Sequence, residues 1–482
     1  MSSRSAPDLS LFVDILRMLP VKKRIGRTSR IEEAQEGVSM RELSGDSSSM
    51  PDAAGIQATA DVTAGYTDPT GKTGNRPERL AWFRSLGLGM FIHWSLDVQL
   101  GSVISHSLVG ASEAYRERFF RELPKTFYPR HFDPDAWAAL AQIAGMRYVV
   151  FTTKHHSGFC MFDTETTDFN VTNTPLGQDV TRQVVDAFRQ RGIAVGFYFS
   201  PDDFSVLHRQ GTPISRRRPE ALPSNNPELM AHNLRQMREL LTRYGPVDIV
   251  FLDGEATGLR ELCWELQPEV VVTRGAMPTP EQHLPDQAPA EPWEACFTMG
   301  TQWQYKPTNE TYKSGRKLIE MLIETRAKGG NLLINVGPTP DGEIPFEQDR
   351  ILRELALWLF INGEAIYDVV PWDPIREGEI WFTKAREADT AYVLIAGTEW
   401  TYRERKNVTI ESVQATAETE IEMLGQNGQV LEYRPDVLPR TEWRQVEGWL
   451  TINATRAQRI YNDGTWSNPP VLRITHARPR GR

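Results

Sequence analysis

Polar side chains end several apolar runs of this 482-residue chain, and their types could do chemistry together. LGMFIHWS (88–95) closes on His93 and Trp94, and RYVVFTTKHH (147–156) on Lys154, His155 and His156. IAVGFYFSPDD (193–203) carries Tyr198, Asp202 and Asp203, VDIVFLDGE (247–255) carries Asp253 and Glu255, and VVVTRG (270–275) carries Arg274. Neutral imidazole, phenol, guanidinium and carboxylate groups match a ring of hydroxyls, each a donor and an acceptor, while aromatic rings cover an apolar sugar face. Two carboxyl groups would then act on a glycosidic bond. Asp253 is the nucleophile candidate, because it follows the apolar Ile249–Leu252 where a buried strand opens, and Gly254 lets the backbone turn there. For the second carboxyl, Glu294 lies between Trp293 and Cys296, an apolar setting that keeps a carboxyl protonated as a general acid requires. Glu291 is its rival.

A metal centre is not expected. Metal hydrolases on barrel folds need several imidazoles in one sphere. The first strand offers only His93, and the adjacent His155 and His156 would point to opposite sides of a strand. No cofactor is expected either. Cys160, Cys263 and Cys296 are too widely spaced for a zinc motif or a disulfide framework. The 54 basic and 63 acidic side chains give a charge of −9, which argues against nucleic acid and anionic membrane as partners. No 18-residue apolar window predicts membrane insertion. The run Leu9, Phe12, Val13, Leu16 and Leu19 is broken by Asp14 and Arg17, a poor secretory signal. A cytoplasmic location is therefore expected, with a periplasmic or secreted one open if that run is a degenerate signal.

The elements that would position these residues alternate. The apolar runs are continuous, as strands buried on both faces of a parallel sheet are. Between them lie helices with clear starts and stops: Asp133-Pro134 to Gly145, Asp179 to Gly192, and Asn226-Pro227 to Gly245. GGNLLINVGP (329–338) is a later strand, and helix signals fade over 275–313. The pattern predicts a (β/α)8-like barrel over 80–372, with chemistry at the C-terminal strand ends. Beyond it, WFTKAR, AYVLIAG, KNVTIESV, VLEYRPD and LTINAT predict a C-terminal antiparallel β-sandwich over 373–482. Residues 1–79, rich in Ser, Gly, Asp and Pro towards their end, predict an extension and linker.

At these residues the sequence resembles glycoside hydrolase family 29, the α-L-fucosidases. MFIHWS is similar to the family's first-strand motif, YVVFTTKHHSGFCMFDT to its Lys-His-His-x-Gly-Phe signature, and VDIVFLDGE to the strand of its catalytic aspartate. EPWEACFTMGTQWQY resembles its Trp-Glu segment, and GGNLLINVGPTPDGEI its last barrel strand. The resemblance implies a (β/α)8-like barrel with a β-sandwich, and an exo-acting retaining enzyme that removes terminal α-L-fucosyl residues. It implies Asp253 as nucleophile and Glu294 as acid/base. His93, His155, His156, Tyr198 and Arg274 match sugar-binding positions; Trp94, Phe251 and Trp303 are aromatics placed beside the sugar. The family's Gly-x-Glu-Trp segment is absent; GSVISHSLVG (101–110) stands there, and His106 is the candidate replacement. The implied partner is a fucosylated oligosaccharide or glycoconjugate, and no motif encodes an oligomeric state. Two alternatives are a glycosidase for another α-L-sugar, such as an α-L-galactoside, and a non-catalytic sugar-binding barrel.

Overall fold

The structure, a computed structural model, describes residues 74–460 and 466–480. The extension expected over 1–79 lies outside the described residues as far as residue 73. Seven parallel strands form one curled sheet: β1 (Leu88–Ile92), β2 (Tyr148–Lys154), β3 (Ala194–Phe199), β4 (Ile249–Leu252), β5 (Val271–Val272), β6 (Glu294–Thr298) and β7 (Asn331–Val336). Their order is β5-β4-β3-β2-β1-β7-β6. Every residue of β1, β2, β4 and β7 is buried, as strands covered on both faces must be.

The crossover helices begin where the caps lie. Asp133 accepts from Ala136 N at 2.9 Å, Asp179 from Arg182 N at 2.9 Å and Asn226 from Leu229 N at 3.2 Å. Each carboxylate or amide oxygen satisfies a backbone N–H that the first helical turn leaves unpaired. Trp137 and Leu140 on one helix, and Val184 and Phe188 on the next, are buried against the sheet.

The sheet does not close by regular strands. Between β5 and β6 the chain runs irregularly, and Pro278–Gln282 lies alongside β6 in a strand's place. The Pro278 and Pro280 carbonyls accept from Glu294 N and Cys296 N at 3.1 Å each, and Gln282 N donates to Cys296 O at 3.0 Å. Proline has no N–H, so this segment cannot complete a ladder. At the other edge the Asn75 side chain stands in for a strand, exchanging two 2.9 Å bonds with the Val272 backbone. The eight-stranded expectation thus becomes seven strands with a proline-interrupted eighth segment.

Inside the curl, Phe91, Tyr148, Tyr198, Phe251, Cys296 and Leu333 pack as one apolar cluster. Gly89 makes room for Tyr148: a Cβ there would stand 2.4 Å from its ring. This cluster closes the barrel beneath the C-terminal strand ends.

Antiparallel sheets follow, with a five-stranded sheet in the order β11-β12-β10-β9-β8, where β8 is Val369–Glu377, β9 Ile380–Ala385, β10 Thr390–Ile395, β11 Ile421–Met423 and β12 Val471–Thr475. A three-stranded sheet pairs Arg405–Ile410, Trp449–Thr455 and Glu442–Val446. Their shared core includes Trp372, Phe382, Trp400, Ile452 and Leu472. The segment VLEYRPD forms turns instead of the expected strand, with Tyr433 at φ 63°. A division at 372/373 would cut through β8. Trp358 of the last barrel helix, Phe346–Asn362, donates to Pro469 O at 2.7 Å and ties barrel to sheets.

Candidate active site

The C-terminal strand ends surround a cavity of about 260 Å³. Its lining includes Phe91, His93, His106, His155, Tyr198, Arg216, Phe251, Asp253, Arg274, Glu281, Cys296 and Trp303. Asp253 follows β4, and its N–H is fixed by the Phe199 carbonyl at 3.1 Å. Gly254 turns the chain with φ 152°, a conformation that side chains rarely adopt.

Four groups face the Asp253 carboxylate. Tyr198 OH donates to Oδ2 at 2.7 Å, and Arg274 Nη1 donates to Oδ1 at 3.2 Å. Arg216 Nη2 is 3.6 Å from Oδ1 and His156 Nε2 is 3.6 Å from Oδ2. Burial alone would raise this carboxyl's pKa. Arg216, Arg274 and the Tyr198 hydrogen bond together outweigh burial and hold it well below the usual carboxylate range. Asp253 is therefore an anion at neutral pH, as a nucleophile must be.

The histidines are the opposite case. His93 Nδ1 is bonded to Asn335 Oδ1 at 2.6 Å, and burial pushes its pKa down to about 4. Burial also drives His155 and His156 well below the ordinary imidazole value. Neutral rings keep one donor and one acceptor each, the pattern hydroxyls need. His155 stacks on Tyr198 at 5.2 Å, and His93 lies 4.9 Å from Trp303, so the rings hold one another in place.

β2 ends at Lys154, so the chain is already a loop at His155 and His156. Their rings are 4.1 Å apart, contrary to the expectation that they diverge. One nitrogen from each and an Asp253 oxygen lie within 4.8 Å of one another, a spacing a cation could bridge. Arg216 and Arg274 face the same carboxylate and oppose a further positive charge there.

Arg274 organises the second carboxyl. Its Nη1 donates to Glu281 Oε2 at 2.9 Å, its Nε to Thr279 Oγ1 at 3.2 Å, and its guanidinium lies 4.6 Å over the Phe251 ring. Glu281 is set by the Pro278–Gln282 segment. It was not singled out from the sequence, because PTPEQ has no strand pattern. Arg216 was missed too: it lies in an Arg run that reads as a solvated loop.

Four expected residues lie off the cavity lining: His156, buried behind Asp253 with its Nδ1 on Ser200 Oγ at 2.6 Å, and Glu294, Glu291 and Trp94. Glu294 opens β6 opposite Asn331, whereas Thr298 opposite Asn335 marks the cavity end. Four residues at about 3.3 Å each put Glu294 some 13 Å down the strand. There Tyr148 OH donates to it at 2.6 Å, and burial raises its pKa to about 7. The apolar setting read from the sequence is real, but it lies at the wrong end of the strand. Glu291 is exposed and precedes that end. Trp94 points away from the cavity, since neighbours in an extended chain alternate. It stacks on Phe132 at 5.3 Å and donates to Thr339 O at 3.0 Å. His106 is at the cavity rim, exposed.

Residues 54–364 match the family described as Alpha-L-fucosidase. The chain is 27% identical over 419 residues to plasma alpha-L-fucosidase of Rattus norvegicus, covering 76% of this chain and 87% of that one. It is 29% identical over 394 residues to tissue alpha-L-fucosidase of Homo sapiens, covering 72% and 81%. Among solved structures it is similar to alpha-L-fucosidase isoenzyme 1 from Paenibacillus thiaminolyticus (TM-score 0.66, 27% identity, 84% of this chain and 99% of that one). It is also similar to the Thermotoga maritima alpha-fucosidase (TM-score 0.64, 26% identity, 82% and 96%).

Proposed function

On the premise that this chain belongs to the α-L-fucosidase family of glycoside hydrolases, we propose that it removes terminal α-L-fucosyl residues from oligosaccharides or glycoconjugates, with retention, using Asp253 and Glu281. The observation that carries this reading is the pair of carboxylates on one atom. With legs of 3.2 and 2.9 Å to Arg274 Nη1, the bonded oxygens of Asp253 and Glu281 can be no more than about 6 Å apart. Retaining pairs stand about 5–5.5 Å apart, and inverting pairs about 6.5–9.5 Å, which leaves room for a water. Among the described residues of the cavity lining, Glu281 is the only carboxylate besides Asp253.

In the first step Asp253 attacks the anomeric carbon as the bond to the leaving oxygen breaks. Glu281 passes its proton to that oxygen. The charge that develops on the sugar ring faces the Asp253 anion, while neutral His93 and His155, which line the cavity, hold hydroxyls without adding a positive charge. In the second step Glu281 takes a proton from water, the water attacks the same carbon, and Asp253 departs as the carboxylate. The apolar floor of Phe91, Phe251 and Cys296 closes the cavity from below, which supports removal of a chain end over cleavage within a chain. The test is a panel of fucosylated oligosaccharides, with NMR of the first-formed sugar. Early release of α-L-fucose is expected; early release of the β-anomer would rule out the retaining pair, and release of no fucose from any member would rule out the substrate.

A further inference from the structure

Arg216 is a second cation facing Asp253, and it comes from a loop far in sequence from any strand end. It sits in the stretch after the short helix Phe204–Arg209, reaches back over the C-terminal strand ends and lines the cavity. Its Nε donates to Asp202 Oδ2 at 2.6 Å while Nη2 approaches Asp253 Oδ1 at 3.6 Å. Its side chain is 14% exposed and that of Asp202 is 6% exposed, so the pairing is largely screened from water. Asp202 is fixed in turn, because its N–H donates to Ser200 Oγ at 3.1 Å and that hydroxyl also bonds His156 Nδ1 at 2.6 Å.

We propose that Arg216 is a positioning residue for the nucleophile: anchored on Asp202, it keeps Asp253 ionised and oriented for attack and stabilises the same carboxylate when it departs. The proposal rests on Asp253 being the nucleophile. A guanidinium suits the task because it stays charged and can hold two carboxylates through different nitrogens in fixed directions. A lysine offers one point charge and cannot span the pair in the same way.

Other groups also act on Asp253. They are His93 after β1, His155 and His156 after β2, Tyr198 on β3, Asp202 beyond it, Arg274 after β5 and Cys296 on β6. Glu281 shares Arg274, and His106 stands near Arg216 and Arg217. The imidazoles are held neutral and burial keeps the Cys296 thiol protonated. The cations that counter the burial of Asp253 are thus Arg274, two residues beyond β5 and tied to Thr279 and Glu281, and Arg216, held from the loop after Phe204–Arg209 by Asp202.

The test is the rate at which 2-fluoro-fucosyl fluoride labels Asp253, followed by mass spectrometry against pH. Wild type, Arg216→Gln, Arg216→Lys and the neighbouring Arg217→Gln are compared, with melting temperatures as a fold check. Arg216→Gln is expected to label at least about tenfold more slowly, with its acid limb moved to higher pH because a cation beside Asp253 is lost. Arg217→Gln should keep the wild-type limb. Arg216→Lys should also label more slowly, and it decides the question if Arg216→Gln does not fold. A folded Arg216→Gln or Arg216→Lys with the wild-type rate and limb would overturn the proposal while leaving Asp253 as nucleophile. Failure of wild type to label Asp253 at all would overturn that assignment, and the proposal with it.

Discussion

Asp253 and Glu281 are joined through a single atom, Arg274 Nη1, at 3.2 and 2.9 Å. The two carboxyls come from different kinds of backbone. Asp253 ends a buried strand, and Glu281 belongs to a proline-interrupted segment whose carbonyls lean on β6. Arg274 also bonds Thr279 through its side chain and its carbonyl, so the segment bearing Glu281 is fixed to the end of β5. That tie sets the spacing on which the proposed retention depends.

Removal of the proton donor should depend on the leaving group. Glu281→Ala is expected to lower kcat/KM for unactivated oligosaccharides by about 10²–10⁴, the usual range for general acid catalysis. An aryl fucoside whose leaving group needs no proton should lose far less in its first step. Steady-state kinetics on the two substrate types measures the difference; equal losses on both would remove Glu281 from the donor role.

Glu294 should matter to stability and not to chemistry. Its pKa in the fold is raised from 4.5 to about 7, so the folded protein holds a proton that the unfolded chain releases. Its contribution is fully present below about pH 4.5, falls as pH rises, and is lost above about 7, a change on the order of 3 kcal/mol. Glu294→Gln should flatten the dependence of melting temperature on pH over that window and leave kcat/KM within a few-fold of wild type. A loss of activity like that of Glu281→Ala would contradict this placement.

The imidazoles predict the opposite slope at acid pH. The pKa of His93 falls from 6.5 to about 4 on burial, so the unfolded chain binds the proton first. Stability from this group is present above about pH 6.5 and is lost as pH falls towards 4. Chemical denaturation between pH 7 and 4 should show it, and His93→Asn should reduce the slope. Activity itself should show no step at the ordinary histidine value.

Trp94 should act as a core residue. Trp94→Ala is expected to destabilise the barrel by about 3–5 kcal/mol, as loss of a buried aromatic does. Trp94→Phe should leave KM for an aryl fucoside unchanged. A KM raised tenfold with normal stability would return Trp94 to the sugar site.

What the sequence made legible follows from how each residue is held. β1 to β4 and β7 are continuous apolar runs with capped helices between them, so their C-terminal ends, and the polar residues there, can be found by counting. Pro278–Gln282 carries no such pattern, and its place beside β6 depends on contacts with a strand that comes later in the chain. Arg216 looks like its solvated neighbours Arg217 and Arg218 until the fold turns it inward. Glu294 misled because apolar flanks report burial but not depth along a strand: an acid at its start and one at its end read alike. Trp94 could have been excluded by the alternation that follows from His93 facing the cavity.

The most direct test of the account is paired azide rescue with product stereochemistry. Asp253→Gly with azide and an activated α-L-fucoside should give the β-azide by direct displacement. Glu281→Ala should give the α-azide through the fucosyl-enzyme, and Glu294→Ala should need no rescue. Rescue of Glu294→Ala to the α-azide, with Glu281→Ala fully active, would contradict it.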